Sequence, residues 1–74
     1  MEYPQYRELK GFNRYYKIFD DRNFTEVYFI GEKVLSHHIE AKQYPEILRI
    51  QDMLKCESPF VEITENEFSS IIIR

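Results

Sequence analysis

A small α+β domain is the fold class this sequence predicts, and three observations carry the prediction. Two runs rich in β-formers, "RYYKIFD" at 14–20 and "NFTEVYFI" at 23–30, are separated by Asp and Asn residues whose side chains favour turns. A helical period of apolar residues begins at Tyr44 and stops before Pro59. Thr64 is followed three residues later by Glu67, the signature of a helix start. The expected order is β-β-β-α-β-α, a mainly antiparallel sheet with helices on one face.

Each element has its own justification. Residues 1–12, "MEYPQYRELKGF", mix Pro, Gly, aromatics and charges without a period and read as an irregular arm or a short helix over "QYRELK". Gly11 breaks whatever precedes it. In the first predicted strand Tyr15, Lys17 and Phe19 share one face, and Arg14, Tyr16 and Ile18 the other. In the second, Thr25, Val27 and Phe29 point one way, and Phe24, Glu26, Tyr28 and Ile30 the opposite way. "GE" at 31–32 is a second turn, and "KVLSHHIEA" at 33–41 a third strand, completing a meander.

Pro45 suits the first turn of the helix that follows, where a missing N–H costs nothing, and Glu46 complements the positive end of the helix dipole. Ile47, Ile50 and Leu54 fall on one face, flanked by Leu48 and Met53. "FVEIT" at 60–64 is a fourth strand. The cap at Thr64 and Glu67 favours a closing helix bearing Phe68, Ile71 and Ile72, against the β-propensity of "SSIII".

The 74 residues allow one domain, 1–74, with a core near the lower limit of viability. Cys56 is the sole cysteine, so no internal disulfide can brace the fold, and a reducing, cytoplasmic setting is expected. No apolar run has the length of a membrane span or a signal peptide. A net charge of −3 and a pI near 5.3 argue against general affinity for nucleic acid or anionic membranes. Aromatics make up 16% of the chain, all Tyr and Phe, and they enlarge what a small core can bury.

"SHHIEA", at 36–41, most resembles chemistry. On a strand, however, alternation separates its histidines: His37 shares a face with Leu35 and Ile39, and His38 with Ser36 and Glu40. His38 and Glu40 are thus the only same-face pair, two ligands where zinc takes three or four. No metal or other cofactor is expected. Cys56 follows a helix C-terminus, where the dipole disfavours a thiolate, no pair of carboxylates has a reason to diverge in acidity, and no glycine-rich phosphate loop is present. No catalytic residues are assigned.

The expectation is a small, non-catalytic protein-interaction module that self-associates as a homodimer. Its contact residues are Phe68, Ile71, Ile72 and Ile73, with Tyr3 and Tyr6 second. A free sheet edge offers a further docking mode, by strand addition. The alternative is a nucleic-acid-binding accessory protein that uses Arg14, Tyr15, Tyr16 and Lys17 of the first hairpin, since aromatics interleaved with cations can stack and clamp single strands.

Overall fold

The computed structural model describes residues 2–72. Five strands and two helices follow in the order β1 (Gln5–Leu9), β2 (Arg14–Ile18), β3 (Asn23–Ile30), β4 (Lys33–Glu40), α1 (Tyr44–Leu54), β5 (Phe60–Ile63) and α2 (Glu65–Ile72). The strands form one sheet in the order β4-β3-β2-β1-β5, and every neighbouring pair is antiparallel. The α+β class and the antiparallel sheet therefore stand as expected.

The first dozen residues correct the expected arm. Residues 5–9 are a strand, hydrogen-bonded between β2 and β5, so the order is β-β-β-β-α-β-α. Its period was hidden because both of its faces are covered: Tyr6 and Arg7 are neighbours, point to opposite faces and are both buried. A buried arginine reads as a polar residue in the sequence, and the alternation disappears.

The helices correct a second expectation, since they lie on opposite faces of the sheet. Ile50 and Met53 of α1 pack with Tyr16, Ile18 and Phe24 on one face. Phe68 of α2 packs with Tyr6, Val27 and Ile63 on the other. The cause lies in the central strands. Phe24 and Val27 of β3 point to opposite faces and are both buried, so each face needs its own cover. Aromatic contacts tie each layer together, Tyr16 with Phe24 and Phe60 on the α1 face and Tyr6 with Phe68 on the α2 face.

Local signals set the ends of the helices. The Glu46 carboxylate accepts a hydrogen bond from the Gln43 N–H at 3.1 Å and so caps α1. At its other end the Cys56 N–H donates to Met53 O and the Glu57 N–H to Asp52 O, the paired bonds of a Schellman motif, with Cys56 at φ 55° in the position glycine usually takes. In α2 the expected box is formed: Glu67 N–H donates to Thr64 Oγ1 and Thr64 N–H to Glu67 Oε1, both at 3.1 Å.

Candidate functional site

β4 is the outer strand of the sheet, and seven of its eight residues are exposed. The opposite edge, β5, is only four residues long. The β3–β4 turn has Gly31 at its first central position with φ 60°, as a type II′ hairpin requires. This two-residue turn makes Ile30 and Lys33 the closing hydrogen-bonded pair, and backbone direction then alternates along the strand. Lys33, Leu35, His37 and Ile39 direct their N–H and C=O groups at β3. Val34, Ser36, His38 and Glu40 direct theirs outward, along the open edge. The Ala41 N–H continues the alternation by donating inward to Arg22 O.

The edge has little to discourage pairing. Proline and bulges are absent from β4, and its only cation is Lys33, beside the turn. Its two central residues are the histidines, which the structure places on opposite faces as alternation requires. His37 stands across from Glu26 on the α1 face. His38 stands across from Thr25 on the α2 face, with Nδ1 3.2 Å from Thr25 Oγ1 and its ring 5.7 Å from that of Phe19. Glu40 lies two residues on, exposed, with Lys42 Nζ 3.8 Å from its carboxylate. Among the described residues no three His, Cys, Asp or Glu side chains gather closely enough to hold a metal ion.

Beside the edge, on the α2 face, runs a shallow apolar groove of about 340 Å³. Phe19, Val27 and Val34 line its sheet side, and Phe68 and Ile72 its helix side. The short α2 packs over β1, β3 and β5 and leaves the β4 flank open.

A polar cluster occupies the α1 face. The Tyr16 hydroxyl donates to Glu26 Oε2 at 2.7 Å, Arg14 Nη1 donates to Oε1 at 2.9 Å, and Arg49 approaches at 4.0 Å. Burial pushes the Tyr16 phenol well above its ordinary range, and the Glu26 carboxylate raises it further. Asp20 moves the other way: the Arg22 amide and the Asn23 side chain hydrogen-bond its carboxylate and hold it below the usual range. Both shifts arise within local structural networks. Among the described residues no buried side-chain nitrogen or oxygen lacks a hydrogen-bond partner.

The residues expected to form a contact patch fare unevenly. Phe68 is 6% exposed and Tyr6 is 7% exposed, and their rings pack together with centroids 5.0 Å apart, so these two close the core. Ile71 and Ile72 are half-buried, and Ile73 lies outside the described residues. Tyr3 is exposed, at the N-terminal approach to β1. The four residues of the nucleic-acid alternative divide between the faces. Arg14 and Tyr16 lie on the α1 side, engaged with Glu26, while Tyr15 and Lys17 lie on the α2 side. Tyr16 is buried, so its ring is closed to a stacking base.

Val34, Leu35 and the outward backbone of β4 were absent from the expected site. Their sequence signal was the lack of proline and of central charge in "KVLSHHIE", which acquires meaning only once β4 is known to be an edge. No family model, curated protein or solved structure matches this chain.

Proposed function

We propose that this chain is a small, non-catalytic, cytoplasmic protein-interaction module that takes up an extended segment of another polypeptide along β4. One observation carries this reading: an eight-residue outer strand with an unobstructed line of outward donors and acceptors. The apolar groove beside it supports the reading, because side chains of an added strand can use it for specificity. The single free cysteine supports the compartment, and no helix among the described residues is long and apolar enough to cross a membrane.

The test is a backbone amide NMR titration at low and high salt with two probes: a synthetic peptide of sequence KVLSHHIE and a short single-stranded oligonucleotide. Strand addition should move the amides of Val34, Ser36, His38 and Glu40 on adding peptide, with little dependence on salt. A β4 that stays unresponsive in protein dilute enough to be monomeric would overturn it, and salt-sensitive shifts around Arg14–Lys17 with the oligonucleotide would establish the nucleic-acid alternative.

A further inference from the structure

We propose that the segment β4 receives is β4 of a second copy of this chain, paired antiparallel about a twofold axis at His37. The inference rests on reading β4 as a docking edge and adds the identity of the partner and the register. Two identical edges that join with their faces continuous are related by an axis normal to the sheet, so residues across the junction share a face. The outward residues of one copy, Val34, Ser36, His38 and Glu40, must therefore meet outward residues of the other.

Only one axis position uses all four. With the axis at His37, Val34 faces Glu40 of the second copy and Ser36 faces its His38, and symmetry repeats both pairs. Moving the axis to Ser36 carries Glu40 beyond the strand of the second copy, and moving it to His38 does the same to Val34. Either shift loses one hydrogen-bonded pair from the dimer.

Side chains favour the same register. On the α1 face Leu35, which is exposed in one copy, packs against Ile39 of the other, and symmetry makes the contact twice. Beyond each end of the paired strands Glu32 comes opposite Lys42 of the second copy, an exchange of opposite charges at both ends. His37 meets its own mate at the axis.

Single cysteines placed at 36, 37 and 38 in a Cys56→Ser background test the register directly. A residue on the axis faces itself, and at position 37 the two Cα atoms would stand about 4.5 Å apart, within disulfide range. Under mild oxidation His37→Cys should form covalent dimer, while Ser36→Cys and His38→Cys stay largely free of the cross-link. Faster cross-linking at 36 or 38 would overturn the register.

Light-scattering chromatography across a concentration and salt series tests the partner. Dimer that persists at high salt and has its dissociation constant raised roughly tenfold or more by Ser36→Pro is the expected result, because each copy loses an outward donor. A monomer throughout, with no cross-linking at any position, would overturn self-pairing and leave the peptide titration to decide whether β4 docks another protein. Dimer unaffected by Ser36→Pro, in protein whose circular dichroism is unchanged, would place the interface elsewhere and overturn self-pairing through β4.

Discussion

Arg7 is the side chain that ties β1 to the C-terminal end of α1. It is 3% exposed; its Nε donates to Met53 O at 2.7 Å and its Nη1 to Tyr6 O at 2.7 Å. The last turn of α1 contains no basic residue, so a guanidinium from β1 supplies the cation that favours a helix C-terminus. A lysine has one charged nitrogen and cannot reach separate acceptors with a rigid fork. Arg7→Lys should therefore cost about 1–3 kcal/mol in urea unfolding, the scale of a lost charged hydrogen bond. Tyr16 makes a second prediction at this scale. Its phenol is raised in the folded state, so the stability it contributes is complete below pH about 10, the usual tyrosine range, and is lost as the pH rises through the folded value. Melting temperature should fall on the alkaline side, and Tyr16→Phe should flatten that fall. The same substitution leaves Glu26 one donor short and should cost about 1 kcal/mol at neutral pH.

The helix ends make the clearest test among the elements. Cys56 holds the left-handed position of the Schellman motif at φ 55°, where a Cβ is unfavourable. Cys56→Gly should stabilise the protein by about 1 kcal/mol in thermal or denaturant unfolding, although a cysteine-to-glycine change elsewhere on a helix would destabilise it. Thr64→Ala removes the hydroxyl that accepts from the Glu67 amide and should cost about 1 kcal/mol. Both ends were partly legible. The Thr64 and Glu67 box was read from spacing alone, since a cap joins residues three apart and needs nothing distant. The sequence ends α1 before Pro59 but does not reveal the part played by Cys56, because cysteine carries no marker of positive φ. β1 is illegible in the sequence for a related reason: a strand buried on both faces loses its polar alternation.

At the scale of the molecule, two layers share one sheet, and each is thin. Among the described residues only α2 covers the Tyr6, Val27 and Ile63 face, and Phe68 is its one buried side chain. Phe68→Ala should cost about 3–5 kcal/mol. For a chain this size the whole folding free energy is about 4–11 kcal/mol, so the variant should lie near its unfolding transition at 37 °C. Circular dichroism melts would show it. A charged residue at 68 would report on folding before it reported on any interface.

The sequence by itself determined the local objects: the strands from β2 to β5, their alternating faces, the amphipathic α1, the capped α2 and the separation of His37 from His38. These depend on periodicity and on contacts between near neighbours, which a linear reading contains. Only the tertiary structure decided which strand lies at an edge, that the helices divide between faces, and that Tyr6 and Phe68 are core. Those outcomes depend on how 5–9 and 60–63 pair, residues more than fifty apart, and that pairing is a competition between whole arrangements for the burial of both sheet faces. An open edge belongs to the arrangement, and "SHHIEA" acquired its place in the molecule only when β4 was left outermost.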